Sequence, residues 1–378
     1  MKVYFDNAAS TMVREEAIEA MLRVMRESYG NPSSMHDQGR RASALLEDAR
    51  KNVADALGAE PDNVYFTSGG TEADNLAILG CSGNLFRKGR HLITSATEHS
   101  AVAAPIKKLE NSGWDVTYLA PDDAGRIPVE AFSAALRDDT VFASIMLVNN
   151  ETGAVNPIAG YSAEIKKRGL KTVLHTDAIQ GLCKIPFTVK SLGVQLISVS
   201  SHKLHGPKGV GALYIDAGVR LDPLILGGSH EKGKRGGTEA LPAAVAFGEA
   251  ARLGRLELAD TAARVRGLRE YTIDLLKAEL PDIVIVGEGD SPFLLCVSLP
   301  GYKGEVLMNY LDGEGICVSR GAACKKGARS PTLEAMRLKN EIIDGVLRVS
   351  FSRYSTPEEA EYFVRTLKKA SGTIFKVL

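Results

Sequence analysis

The 378-residue chain is poor in several features that would assign it to a specialised class of protein. It has only five cysteines and no CxxC pair, so the sequence offers neither a disulfide framework nor a typical metal site for zinc. Lysine plus arginine and aspartate plus glutamate both number 46, and this balance gives no support for binding to nucleic acid or to an anionic membrane. No run of 18 apolar residues is present, and the start MKVYFDNAAS is unlike a signal peptide, so we expect a cytoplasmic protein without a membrane segment.

Apolar periodicity predicts an α/β protein. Short apolar strands alternate with amphipathic helices from about residue 63 to residue 215, which favours a mostly parallel sheet with helices on both faces. A helical stretch from about residue 241 to residue 280, broken near Gly254, follows, and beyond it the pattern becomes α+β. We therefore expect a large domain over residues 12–255, and a smaller α+β domain made of residues 1–11 and 256–378.

Polar motifs follow the predicted strands at their carboxyl ends, where open α/β sheets bind their ligands. These motifs are Ser68 to Glu72, Glu98-His99, Asn149-Asn150, Asp177 to Gln180 and Ser200 to Lys203. The first motif lies between a strand and a helix and is rich in glycine, an arrangement that binds phosphate at the helix N-terminus. Taken alone, this turn is equally consistent with a helix cap that binds no ligand.

Lys203 is the residue around which the other motifs can be understood. It follows the buried strand Leu196–Val199, and desolvation there would lower its pKa toward the neutral amine that forms a Schiff base. Alone, it would be better explained as a surface lysine in a turn. Together with a phosphate cradle and an acid for a ring nitrogen, it predicts a pyridoxal 5'-phosphate site. Asp177 would pair with the pyridine nitrogen, His99 would lie against the ring, and Gln180 would donate to the ring hydroxyl.

Eight ordered stretches then point to a known family. They are YFDNAAST, GNPSSMHDQGR, FTSGGTEADNLAI, TEHSAV, VNNETGAVNPI, HTDAIQG, SSHKLHGPKGVGALYI and RGGTEA. With these stretches the chain resembles the cysteine desulfurases of the NifS/IscS group, which are fold-type I pyridoxal phosphate-dependent transferases. The similarity extends from near residue 4 to residue 240 and continues more weakly to the stretch STPEE.

The resemblance implies a role for each residue that matches a family motif. It implies that Lys203 forms the Schiff base with the cofactor, that His99 stacks on the cofactor ring and serves in acid–base steps, and that Arg348 binds the substrate carboxylate. The remaining assignments are phosphate contacts at Gly70, Thr71, Ser200 and His202, a phosphate contact to the other subunit of a homodimer at Thr238, a cofactor and substrate contact at Asn150, and cofactor contacts at Asp177 and Gln180.

Cys324 is the residue that would select the reaction. In the family, a cysteine thiolate takes the substrate's sulfur, and the basic residues Arg320, Lys325 and Lys326 would lower the pKa of this thiol. The segment RGAACKKGARS is too polar and too glycine-rich for a core, unlike the surroundings of the other cysteines, which we expect to be buried. It also departs from the family, where the residues before the nucleophile are serine-rich, of the form SSGSAC.

The implied function is L-cysteine desulfuration. The products would be L-alanine and a persulfide on Cys324, which would pass its sulfur to an iron–sulfur scaffold or another acceptor protein. Two alternatives use the same cofactor, namely a selenocysteine lyase and an aminotransferase-like enzyme. A third alternative is a binding protein that kept the fold without the activity.

Overall fold

A computed structural model describes residues 1–287, 289–321 and 329–376. Cys324 therefore lies outside the described residues. The described strands are β1 (Val3–Tyr4), β2 (Val64–Thr67), β3 (His91–Ser95), β4 (Asp115–Leu119), β5 (Thr140–Ser144), β6 (Val173–Asp177), β7 (Leu196–Ser200), β8 (Gly211–Ile215), β9 (Val284–Ile285), β10 (Leu294–Ser298), β11 (Ile316–Cys317) and β12 (Val346–Ser350).

The described helices connect and flank these strands. They are α1 (Glu15–Glu27), α2 (Asp37–Leu57), α3 (Gly70–Leu85), α4 (Ser100–Asn111), α5 (Val129–Ala135), α6 (Ile158–Lys167), α7 (Val189–Leu192), α8 (Leu241–Leu256), α9 (Leu258–Glu279), α10 (Gly304–Gly313), α11 (Pro331–Ala335), α12 (Asn340–Asp344) and α13 (Pro357–Thr373). Within the described part of the chain, no helix is both long enough and apolar enough to cross a membrane.

A seven-stranded sheet with the order β2-β8-β7-β6-β5-β3-β4 forms the centre of the protein. The strands from β7 to β4 are mutually parallel, whereas β8 is antiparallel to both β7 and β2. Helices α2 and α8 cover one face, and α3 and α4 cover the other, each burying its own apolar cluster. The predicted α/β class with a mostly parallel sheet is confirmed.

A second, antiparallel sheet, ordered β12-β10-β9, has a separate apolar core. Alternate residues of β10 and β12, such as Leu295 and Leu347, point into this core, where α9, α10 and α13 pack. The first strand joins this part, since β1 pairs in parallel with β11. The helical stretch after residue 241 breaks at Glu257, three residues beyond the predicted position. The domain boundary at residue 255 stays a prediction.

Three local features can be compared with what residue types and apolar runs predict. Helix α2 ends at Gly58, which has a φ of 64°, a conformation that glycine adopts without strain. The apolar run over residues 141–148 predicts a strand of that length, but β5 ends at Ser144. Thr11 is a residue type that caps helices and is predicted to cap α1, but it does not. The Thr11 hydroxyl instead bonds the backbone around Lys203, donating to His202 O at 2.9 Å, because a tertiary partner competes with the helix end.

The cysteines inside the described ranges differ in burial. Cys81 and Cys296 are buried, as predicted, and desolvation raises the pKa of each thiol. Cys183 and Cys317 are only half-buried, so the prediction that they are buried in the core is wrong for these two residues. Cys317 lies on β11, a two-stranded edge that the second core covers on one side only.

Candidate active site

Lys203 closes a 3-10 turn, Ser201–Lys203, directly after β7. Its ammonium donates to the backbone carbonyls of Ala8 at 2.6 Å and Ala9 at 2.8 Å, so the N-terminal segment shields it from water. Burial and the charge of Arg348 lower the pKa of Lys203 to about 8, although the nearby carboxylates of Asp177 and Asp6 oppose both effects. The amine therefore has the direction of shift that a Schiff-base lysine needs.

Gln180 shares the Ala8 carbonyl with the lysine. Its side-chain nitrogen donates to Ala8 O at 2.9 Å, and its side-chain oxygen accepts from Lys184 Nζ at 2.8 Å. The loop that follows β6 places Gln180 here, while the N-terminal segment supplies Ala8. The structure thus brings Lys203 and Gln180 together on one backbone atom.

Asp177 is the last residue of β6 and is 4% exposed. Its Oδ1 accepts the backbone N–H of Ile179 at 2.9 Å. Burial raises the pKa of Asp177, whereas the charges of His99 and Lys203 lower it. His99 is exposed and caps α4 through a hydrogen bond from Ala101 N to its Nδ1 at 3.2 Å. A cationic ring nitrogen beside Asp177 would relieve the cost of its burial.

The predicted phosphate turn is a helix start that packs against the ends of β6 and β7. Helix α3 begins at Gly70, directly after Gly69 with a φ of 152°. A Cβ added at Gly70 would lie 2.1 Å from Ile179 Cδ1 and 3.5 Å from Ser200 Cβ, so a side chain here would displace the end of Ile179. The first N–H groups of α3 have no partner within the helix and are available to an anion.

The other residues predicted to contact the phosphate are not all held together by described contacts. Ser200 is buried at the end of β7, and His202 lies on the same turn as Lys203, with its Nδ1 3.3 Å from Ser10 Oγ. Thr71 is exposed in the first turn of α3. Thr238 is exposed in the loop before α8, and among the described residues no hydrogen bond links its side chain to this turn.

Arg348 lies on β12, from the second sheet, and faces the turn that follows β5. Its Nη2 donates to Asp6 Oδ1 at 2.8 Å and its Nη1 to Asn150 O at 3.0 Å. Its Nε is buried and has no hydrogen-bond partner within the described ranges. A buried guanidinium with an unsatisfied donor fits a carboxylate ligand. Asn150 contributes its backbone oxygen here.

The last described residues before Cys324 lie beside Arg348 and the turn after β5. Ser319 pairs with Arg348 as an isolated antiparallel bridge. A Cβ at Gly321 would lie 2.5 Å from Glu151 Oε2, so this end of the segment borders the turn after Asn150. The chain thus leaves the described region, three residues before Cys324, beside Arg348.

Sequence reasoning missed several contributors. The carbonyls of Ala8 and Ala9 carry no side-chain signal, although the matching stretch YFDNAAST contains them. It also missed a buried polar layer under Asp177. There, Asp74 is fully buried with its Oδ1 3.6 Å from His175 Nε2, and burial together with the charge of Asp177 raises the pKa of Asp74. Burial also lowers the pKa of His175 to about 3, so this histidine is neutral at pH 7.

Comparisons with known proteins agree with this geometry. The family model described as Aminotransferase class-V matches residues 3–363. The chain is 40% identical over 372 residues to the cysteine desulfurase IscS of Dictyoglomus turgidum, covering 97% of this chain and 94% of that protein. It is 42% identical over 364 residues to the IscS of Methanosarcina thermophila, covering 95% and 89%.

Solved structures give the same result. A NifS-like protein superposes with a TM-score of 0.94 at 36% identity, covering 99% of this chain and 100% of that one. A structure of SspA in complex with cysteine has a TM-score of 0.81 at 32% identity, covering 94% and 100%. Full-length similarity at this level extends to both sheets and to the turns that carry the candidate site.

Proposed function

This chain belongs to the class-V aminotransferase family, and on that premise we propose that it is an L-cysteine desulfurase dependent on pyridoxal 5'-phosphate. The proposal depends on one observation, namely that three groups lie together at one edge of the sheet. They are the Lys203 amine with its lowered pKa, the Asp177 carboxyl and the anion-binding start of α3. Relatives named cysteine desulfurase support the choice of reaction.

The residues of this edge fit the cofactor. The start of α3 and Ser200 would hold the phosphate, Asp177 would keep a proton on the ring nitrogen, and Lys203 would hold the aldehyde carbon. His99 would lie beside the ring. When bound, pyridoxal phosphate supplies an electron sink for bonds that break next to the amino group of an amino acid.

The chain's own residues would select cysteine as substrate. Arg348 would bind the substrate carboxylate through its unsatisfied Nε, with Asp6 and Asn150 fixing the orientation of the guanidinium. The thiolate of Cys324 would then take the sulfur of the substrate. The carbon–sulfur bond breaks, a sulfur–sulfur bond forms on Cys324, and the carbon skeleton leaves as L-alanine after it gains a proton. An acceptor protein or an added thiol must then remove the persulfide sulfur.

The assembly and the acceptor are part of the same proposal. Thr238 is exposed and therefore accessible to a second subunit. In the homodimer that we propose, it would contact the cofactor bound by the partner subunit. An iron–sulfur scaffold protein is the acceptor that we propose, since the relatives carry the IscS name. The cytoplasmic location stays a prediction from the sequence.

Substitution of Cys324 tests the reaction. In Cys324→Ala we expect the purified holoenzyme to keep its visible absorption band while alanine and sulfide formation from L-cysteine and a reducing thiol is lost. Cys317→Ala is the matched control, because Cys317 is half-buried and should leave turnover unchanged. Turnover that survives in Cys324→Ala would remove the nucleophile assignment. A keto acid product in place of alanine would instead assign an aminotransferase.

A further inference from the structure

Lys184 is a buried lysine beside the candidate site that neither the sequence motifs nor the proposed reaction uses. Its side chain is 6% exposed, and its one described hydrogen bond runs from Nζ to Gln180 Oε1 at 2.8 Å. Within the described ranges, no carboxylate is among the charged groups that act on its pKa. Lysine is almost never this buried without a charged partner, so its position has a cost that packing does not explain.

The charges around Lys184 increase that cost. Burial, together with the positive charges of Lys203 and Arg348, lowers the pKa of Lys184 to about 7. Lys184 and Lys203 also line one small cavity, so the two amines are neighbours. A methionine of similar length would fill the same space without a charge.

The hydrogen bonds of Gln180 show what Lys184 does. A glutamine amide fits a site in two orientations that differ by exchange of its oxygen and nitrogen. The ammonium form of Lys184 can only donate, so it requires the amide oxygen on its side. The nitrogen then faces Ala8 O, at 2.9 Å, which is the same carbonyl that accepts from Lys203 at 2.6 Å.

We propose that Lys184 is a positioning residue, which clamps the Gln180 amide so that its nitrogen faces the Ala8 carbonyl and the cofactor ring. One hydrogen of that nitrogen is used by Ala8 O. The other is available to the oxygen of the ring hydroxyl group, which sequence analysis assigned to Gln180. Without the clamp, the amide oxygen is left buried without a donor, and the bond to Ala8 O alone holds the amide. The inference rests on cofactor binding by the family and not on the choice of cysteine as substrate.

Cofactor affinity of the apoenzyme tests the proposal without any turnover. Pyridoxal 5'-phosphate is titrated into apoenzyme, and the visible band gives both the dissociation constant and the pH midpoint of the band. We expect Lys184→Met to weaken binding by roughly tenfold and to shift the pH midpoint, because the hydrogen bond to the ring hydroxyl oxygen is no longer held. Lys190→Met, an exposed lysine on α7, is the matched control and should change neither.

A double-mutant cycle separates the clamp from a merely structural effect. In a Gln180→Met background, Lys184→Met should cost no further affinity, because the group on which it acts is gone. A tenfold loss that persists in this background, or a Lys184→Met single variant that binds like the control, would overturn the proposal. If Lys184→Met alone does not fold, the double variant still tests the proposal, because it removes both the Lys184 donor and the Gln180 acceptor. A double variant that folds and binds like Gln180→Met supports the clamp, and one that does not fold overturns it.

Discussion

The protonation of Lys203 in the apoenzyme is open to direct measurement. The amine is shielded by the backbone of Ala8 and Ala9, and its pKa lies near 8. Only the neutral amine attacks the aldehyde of pyridoxal phosphate. We therefore expect the rate of cofactor capture to follow the neutral fraction of this one amine.

The shift predicts a large gain in rate at neutral pH. With a pKa of about 8, roughly one Lys203 side chain in ten is neutral at pH 7, against about one in 2,500 for an ordinary lysine. The gain in reactive amine is thus roughly 200-fold. Asp6 opposes the shift, so Asp6→Asn should lower the pKa of Lys203 and move the rate profile to lower pH.

Stopped-flow mixing of apoenzyme with the cofactor between pH 6 and pH 10 measures the profile through the visible band. We expect the rate to rise about tenfold per pH unit up to about pH 8 and then to level off. N-acetyl-lysine, measured in the same buffers, corrects for the titration of the cofactor itself. A rate that still rises tenfold per unit between pH 8.5 and pH 10 would refute the reasoning, because the lysine would then have an ordinary pKa.

Two further predictions concern buried carboxylates and are measured by urea unfolding. Burial raises the pKa of Glu98 to about 8 from 4.5, so the unfolded chain ionises first and stability falls as pH rises between these values. Glu98→Gln should remove this fall and gain up to about 4 kcal/mol over the wild type on going from pH 5 to pH 8, whereas an equal gain at both pH values would contradict it. Glu231 is paired with Arg50 at 2.6 Å in a buried ion pair, and Glu231→Gln should destabilise the protein by about 3–5 kcal/mol. The exposed Lys232–Asp62 pair nearby is the control, and Lys232→Ala should cost much less stability; similar costs at both pairs would contradict the role of burial.

Strand-end reasoning located much of the candidate site because it depends only on the direction of neighbouring parallel strands. The motifs at Asp177 and Lys203 follow β6 and β7, which are adjacent in the sheet, and the turn at Gly70 packs against both. Apolar periodicity was sufficient for this result. The strand predicted to reach Val148 shows the limit of the method, since that apolar run continues past the end of β5 into buried irregular backbone.

Contacts between distant parts of the chain could not be predicted in the same way. Arg348 and Asp6 are 342 residues apart, and nothing in either local sequence indicates their pairing. Backbone acceptors are harder still, because the carbonyl of Ala8 has the same chemistry as any other carbonyl. Lys184 follows the HTDAIQG motif closely, but only its burial and its bond to Gln180 separate it from an ordinary surface lysine.

The pairing of β1 with β11 has a consequence for the order of events during synthesis. Val3 lies opposite Ile316, so 313 further residues (316 − 3) must be translated after Val3 before its partner exists. At about 5–20 residues per second, the first strand waits roughly 15–60 s on the ribosome for its partner. The strands of the central sheet, all complete by Ile215, leave the ribosome earlier. The contacts that bind the start of the chain to its end, β1 to β11 and Asp6 to Arg348, therefore form only near the end of translation, after Gln180 and Lys203 have left the ribosome.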